Sequence, residues 1–312
     1  MRARVRQTER PSIVWFVVFL GIGLLVAALN SHHYIEQVIY HDHYVPMAEH
    51  FAGRAHRDIM TYPIWGYSLL MNLLPSESLL VPFQVFLSSV AMFALFSVMS
   101  EKRVASLKIL GVLFLAAGPW YTLHSVKWAM SPAVSLTILS LVFLWKSMDE
   151  GRIWAAVAGG VLAGLALNFR SQFLLLGTFL LLAVAATRLL HRRRKVPSLP
   201  VVAYAAVAIL CLVPWGVFYS SQTGHLSLTS SNGGMVAYIA LGQLPGNPWD
   251  IVHDDHSAAV AVQKIDPKLT SYSDRGDRIL MHQFVSNVRT FPIAYTQKVI
   301  HNFVSVFVGG FY

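Results

Sequence analysis

Charge is scarce in this chain. Only 12% of its 312 residues are Asp, Glu, Lys or Arg, against 55% hydrophobic; a typical soluble domain carries about twice that charged share. The balance excludes a disordered chain and argues against a soluble globule. Cysteine is scarcer still. Cys211 stands alone, so no intramolecular disulfide can form and external loops must be held by packing and hydrogen bonds. The sequence has no Cys-x-x-Cys pair, no Cys/His zinc pattern and no glycine-rich phosphate loop. It shows no internal repeat, which leaves an inverted-repeat transporter without support.

Long apolar runs are what the chain has instead. A bilayer core takes about 20 apolar residues per helix, with about 17 as the short limit. Seven runs with few or no charges meet or approach it: 13–29, 79–99, 109–123, 128–145, 153–169, 171–187 and 199–219. Residues 303–312 read as the start of an eighth. The expected architecture is an all-α polytopic membrane bundle of seven spans plus a truncated eighth. Pro132 falls in the fourth run, where neighbouring helices can accommodate it. Gly160 and Gly164 in the fifth have the small-xxx-small spacing that lets helix backbones approach closely. The first run follows Arg2, Arg4, Arg6 and Arg10, as the apolar part of a signal peptide would. Ala28-Leu29-Asn30-Ser31 gives no small-x-small cleavage site, so the run reads as an uncleaved helix.

Basic residues near span ends set orientation. With the N-terminus in the cytoplasm, fourteen of the 24 Lys and Arg residues fall inside, against four of the 15 acidic residues. The formal charge of +9 is then a topology signal and a contact with anionic lipid rather than a nucleic-acid footprint. Residues 1–312 read as one transmembrane domain with two large external segments, 30–78 and 220–298. Loops of that length in a compact protein are usually functional or disordered. Their aromatics and Pro-Gly turns favour order. Residues 46–55 read as a short amphipathic helix on the membrane, ended by Gly53. Residues 65–74 read as a short, partly embedded helix after Pro63.

Few residues in this setting can carry chemistry. Asp42, in Tyr40-His41-Asp42-His43-Tyr44, is either a solvated loop acid or a general base at the outer membrane surface, with Tyr44 beside it to pack on a substrate. Arg170 lies between two uncharged runs. It either snorkels or presents a guanidinium fork to a phosphate. Lys127 reads as a second snorkelling cation or as a supplement to that phosphate site. His41 and His43, with His253 and His256 of His253-Asp254-Asp255-His256, are weak candidates for a divalent metal held between two loops. None has the i,i+4 spacing of a helical zinc motif. The spans themselves are almost free of ionisable groups, which disfavours ion transport.

Taken in order, the pieces resemble the GT-C membrane glycosyltransferases. The nearest likeness is to the bacterial branch similar to dolichyl-phosphate-mannose protein mannosyltransferases and aminoarabinose transferases. Asp42-His43-Tyr44-Val45-Pro46-Met47-Ala48 is like that family's D-x-Y-x-x-x-A stretch. Tyr62-Pro63-Ile64-Trp65-Gly66-Tyr67-Ser68-Leu69-Leu70 is like its YPPGYPLLL. Gly160 through Arg170 (GVLAGLALNFR) is like its G-L-x-x-G-L-A-x-L-x-R. Val213-Pro214-Trp215, Gly224, Ser230-Ser231-Asn232-Gly233-Gly234 and Asn247-Pro248-Trp249 follow in the family's order. The likeness departs at Lys127–Pro132 (KWAMSP), where many relatives have an acid, and at Phe218-Tyr219-Ser220, where Arg-Asn commonly follows the Pro-Trp.

The resemblance implies an enzyme, a hexosyl- or pentosyltransferase that moves a sugar from a polyprenyl-phosphate carrier to an acceptor hydroxyl of a lipid, glycan or protein. It implies a bacterial inner membrane, with the site on the periplasmic face. Carried over, Asp42 would be the catalytic base, Arg170 and Lys127 would hold the donor phosphate, and Tyr44, Tyr62 and Tyr67 would contact substrate. Two other readings stay open. One is a metal-handling membrane protein that uses the external His/Asp clusters. The other is an inactive relative that acts as a scaffold.

Overall fold

The computed structural model describes residues 13–30, 44–53, 64–101, 119–171, 198–244 and 246–308. Their regular secondary structure is all helical, with no strand among them. The expected spans over 109–123 and 171–187 lie mostly outside the described residues.

The chain divides into two compact units, Met1–Arg57 with Ile64–Phe218, and Asp58–Pro63 with Tyr219–Tyr312. In the first, α1 spans Ile13–Leu29, α2 Val45–Phe51 and α3 Gly66–Leu73. A 3-10 turn at Glu77–Leu79 leads into α4, Leu80–Glu101, and α5 spans Pro119–His124. The long hairpin of α6, Met130–Glu150, and α7, Ile153–Phe169, follows, and then α8, Ser198–Leu210, and α9, Val213–Thr223. Among the described residues, three helical stretches are long and apolar enough to cross a membrane: Glu77–Met99, Met130–Glu150 and Leu199–Thr223. Ile13–Leu29 and Ile153–Phe169 are shorter apolar helices. The protein is thus an all-helical chain with the composition and helix lengths of a membrane protein.

The fourth run forms a longer helix than its hydropathy marks. Pro132 sits in the first turn, where its missing N–H would have had no intrahelical partner. The far end carries Lys146, Asp149 and Glu150, and the helix stops only at Gly151, whose φ of +70° is the left-handed conformation glycine adopts without strain.

Small residues bring α7 close on two sides. A Cβ on Gly159 would meet the Ser140 carbonyl of α6 at 3.0 Å. One on Gly160 would meet the Tyr204 carbonyl of α8 at 2.6 Å, and one on Gly164 would meet the Ala208 carbonyl at 2.9 Å. The spacing read from the sequence therefore faces α8, and α7 lies between two helices at backbone contact. Tyr204 and Ser140 close the same seam with a hydroxyl–hydroxyl bond of 2.6 Å. Elsewhere in the unit, α1, α4 and α5 meet through Phe19, Met92, Phe96 and Tyr121.

The seventh run is broken where the sequence predicts continuity. Cys211 and Leu212 form a turn, and α9 restarts with Pro214 in its first turn. Proline has no N–H to bond the carbonyl four residues back, so the ladder opens. The carbonyl so freed is that of Leu210; the neighbouring Cys211 carbonyl accepts the Asn168 amide at 2.9 Å.

In the second unit, α10 spans Gly233–Ala240, and a 3-10 turn at Leu241–Gln243 follows. Next come α11, Asp255–Gln263, α12, Asp274–Thr290, and α13, Pro292–Val308. Asp254 caps α11 through the Ser257 N–H at 2.7 Å, and Ser273 caps α12 through the Gly276 N–H at 3.1 Å. The core is Met235, Ile239, Ala258, Ala261, Val262 and Leu280. Asp277 joins α12 to the start of α10 by accepting the Met235 N–H at 3.0 Å. Burial there pushes its carboxyl above the ordinary aspartate value, opposed by the backbone bonds it accepts. The fold therefore holds this proton to higher pH than the unfolded chain does. The associated stability is present below the ordinary pKa and is lost as pH rises through the raised one. Asp277→Asn keeps the acceptor and removes the titration. Thermal midpoints measured from pH 4 to 8 should fall less steeply with rising pH in the variant than in the parent.

Candidate functional site

Arg170 terminates α7. Its backbone turns extended (φ −150°, ψ 104°), while its own N–H still donates to the Ala166 carbonyl at 2.9 Å. The side chain leaves the helix end and lies over the Trp128 ring, with the guanidinium carbon 5.3 Å from the ring centroid. Such stacking suits the planar, weakly hydrated guanidinium. Two donors in this pair are buried without a hydrogen-bond partner among the described residues, the Arg170 Nε and the Trp128 Nε1. Buried polar groups are normally bonded, and each orphan costs about 1–3 kcal/mol. Two adjacent orphan donors, one of them cationic, make a place for an oxyanion.

Both side chains are positioned by one buried network. Tyr67, on α3, is fully buried and donates its hydroxyl to Gln84 Oε1 on α4 at 2.7 Å. The Gln84 amide donates to the carbonyls of Val126 at 2.8 Å and His124 at 3.2 Å. That amide therefore staples the loop that leads into Trp128. His124 Nδ1 and Ser131 Oγ, 2.6 Å apart, tie the two ends of the same loop together. From the other direction, the edge of Phe169 meets the Tyr67 ring at 6.4 Å, and Tyr67 packs on Tyr44 at 4.7 Å. Tyr44 in turn offers its carbonyl to Ser68 Oγ at 3.0 Å, and Ala48 offers its carbonyl to the Asn72 amide at 2.9 Å. These bonds hold α2 on α3.

Asn168 is the second organiser. Its Oδ1 accepts from Trp65 Nε1 at 2.7 Å, and its Nδ2 donates to the Gly164 and Cys211 carbonyls, each at 2.9 Å. One amide thus joins α3, α7 and the break before α9. Gly66 makes the approach possible, because any Cβ there would strike the Asn168 carbonyl. Trp65 also belongs to an aromatic cluster with Phe51, Trp215 and Phe218, at centroid separations of 5.5–5.9 Å.

The expected site residues are placed as follows. Arg170 is in the arrangement described. Tyr44 and Tyr67 are buried beside it and reach it through Phe169. Lys127 precedes Trp128 and is held by Glu77 at 2.5 Å, so its charge is already matched by a carboxylate. Asp42, Tyr62, His41 and His43 lie outside the described residues. His253 bonds the Ile239 carbonyl through Nδ1 at 2.9 Å and stands 3.4 Å from the Gln243 amide through Nε2. His256 is exposed in the first turn of α11. Among the described residues no three His, Cys, Asp or Glu side chains come together as metal ligands. Trp128 and Asn168 are the site residues that the sequence reading did not single out. An amide two positions before Arg170 in an otherwise apolar helix was the available signal for Asn168. Nothing local marks Trp128.

No protein family, curated protein or solved structure matches this chain.

Proposed function

We propose that this protein is a membrane glycosyltransferase of GT-C type that takes its sugar from a polyprenyl-phosphate carrier. The observation that carries the reading is the Arg170–Trp128 pair, in which a cation and an indole N–H lie together and both keep a buried donor unused. A leaving phosphate needs these groups. The pair stands at the end of the helix whose Gly160–Arg170 stretch resembles the family's arginine motif. Phe51, Trp65 and Phe218, half-buried around the fully buried Trp215, supply apolar surface of the kind an isoprenoid tail would cover.

In this reading the acceptor hydroxyl oxygen attacks the anomeric carbon while the bond from that carbon to the phosphate oxygen breaks. Asp42 takes the hydroxyl proton. Polyprenyl phosphate leaves with the bonding electrons, and Arg170 meets its developing charge, with Trp128 Nε1 as a second donor. Tyr44, Tyr67 and Gln84 position rather than react. Lys127, paired with Glu77, contributes to the local field. The site lies on the external face, and the protein resides in a bacterial inner membrane.

Reconstitution is the test. Purified protein in lipid nanodiscs, given a panel of labelled polyprenyl-phosphate sugars and membrane extract as acceptor, should transfer label in a time- and protein-dependent way. Absence of transfer across the panel, from protein that melts cooperatively, would favour the scaffold reading. Stoichiometric zinc retained after dialysis would favour the metal-handling one.

A further inference from the structure

The last helix of the second unit is turned inside out. On α13 the positions of Ile293, Ile300 and Val304 fall within about 40° of one another, with Phe303 on their flank. Their exposures are 75%, 58%, 49% and 65%. The opposite side of the same helix is polar and inward. Lys298 is 91% buried (9% exposed) against Tyr295, with its ammonium 5.9 Å from the ring centroid, and the Asn302 amide donates to Gln243 Oε1 at 2.7 Å. A helix packed for water would bury the isoleucines and expose the lysine. Thr296, on the exposed side, bonds the Pro292 carbonyl of its own helix at 3.0 Å. Thr137 and Ser97 in the apolar helices α6 and α4 do the same. Gln297 and His301 lie exposed along one border of the apolar face.

The occupant of that face follows from length and charge. Among the described residues, α13 is neither one of the three helices able to cross a bilayer nor one of the two shorter apolar ones. Polar residues recur along it, at Thr296, Gln297, Lys298, His301 and Asn302. An amphipathic helix of this kind lies in the interface plane. Arg289 lies exposed in the last turn of α12, four residues before Ile293, with no acidic partner among the described residues. It shares an open groove of about 560 Å³ with Arg278, Met281, His282 and Val285. Arg278 there is paired with Asp274 at 2.9 Å, so it is Arg289, four positions before the apolar face begins, that complements anionic headgroups above acyl chains.

We infer that α13 is an interfacial helix that rests on an anionic bilayer surface. Ile293, Ile300, Phe303 and Val304 enter the acyl boundary, and Arg289 with the α12 groove sits among lipid phosphates. The inference does not depend on glycosyl transfer. It replaces the expected eighth span, which begins inside this helix, with a segment parallel to the membrane.

Nitroxide labels read the difference. The full chain, with Cys211→Ser as background, would carry Ile293→Cys, Ile300→Cys, Val304→Cys or His301→Cys one at a time, in nanodiscs of phosphatidylcholine with phosphatidylglycerol. The three apolar sites should favour oxygen over a nickel chelate and report one common shallow depth, with His301 open to nickel. Replacing phosphatidylglycerol by phosphatidylcholine, or introducing Arg289→Gln, should raise nickel access at the Ile300 site. Nickel access at all four sites in the anionic discs would mean water, and low access to both probes would mean a protein cover such as a second copy. Depth growing steadily from 293 to 304 would mean a crossing helix. Each of these overturns the inference, and so does indifference to both the lipid change and Arg289→Gln.

Discussion

Arg170→Gln should lower glycosyl transfer by about 10²–10³-fold, the usual loss when one preorganised donor to a developing oxyanion is removed. The fold should survive it, because Arg170 is bound to its surroundings mainly by stacking on Trp128 and by a backbone bond that glutamine retains. Arg170→Lys should rescue only part of the loss, since a lysine supplies charge without the planar fork. Asp42→Asn should cost about 10²–10⁴-fold through loss of the proton acceptor. The two act in one transition state, so the double variant should be little worse than the poorer single one. Initial rates in nanodiscs, with melting curves on the same samples, decide this. Full activity in Asp42→Asn removes that carboxylate from the mechanism. Full activity in Arg170→Gln removes the phosphate site.

Asn168→Leu should have the largest effect on stability. It orphans the Trp65 indole N–H and the Cys211 carbonyl at once, at about 1–3 kcal/mol each. The Trp65 N–H has no easy substitute, since Trp65 lies within an aromatic cluster. The side chain is buried, so water cannot fill the gap without loosening the α3–α7 contact. Thermal unfolding in detergent should show a clearly lower midpoint, and the Trp65 emission should shift to the red. An unchanged midpoint would mean that this amide does not organise the helices around it. Activity, where present, should fall with stability in this variant, whereas in Arg170→Gln it should fall alone. That contrast separates a positioning residue from one that touches substrate.

Several elements of the fold were legible because their cause is local. Hydropathy marks α1, α4, α6 and α7, since burying an apolar run depends on composition and length alone. The short helices at 46–55 and 65–74 appear as α2 and α3, with Gly53 at φ +70° beyond the first. Gly160 and Gly164 announced a close helix contact by spacing, although not which helix would meet them. Arg170 was legible because a guanidinium between two uncharged runs needs a reason to be there.

Long-range pairing decided the rest. That Arg170 stacks on Trp128, 42 positions earlier, follows from Gln84 holding the loop before Trp128 and from Phe169 meeting Tyr67; neither relation has a signature along the chain. At the break before α9 the Cys211 carbonyl is met by Asn168, 43 positions away. Lys127 reads in the sequence as a snorkelling cation or a supplement to the phosphate site; Glu77, 50 positions away, pairs with it in the fold. The inward turn of Lys298 on α13 is likewise a matter of which face packs, since the helix's amphipathic pattern is the same whichever way it points. Composition and period thus gave an all-helical chain with helices long and apolar enough to cross a membrane, and where most of them run. Which polar groups meet inside it was settled only by folding, because a hydrogen bond or a stacked cation depends on distance in space and leaves no period in the sequence.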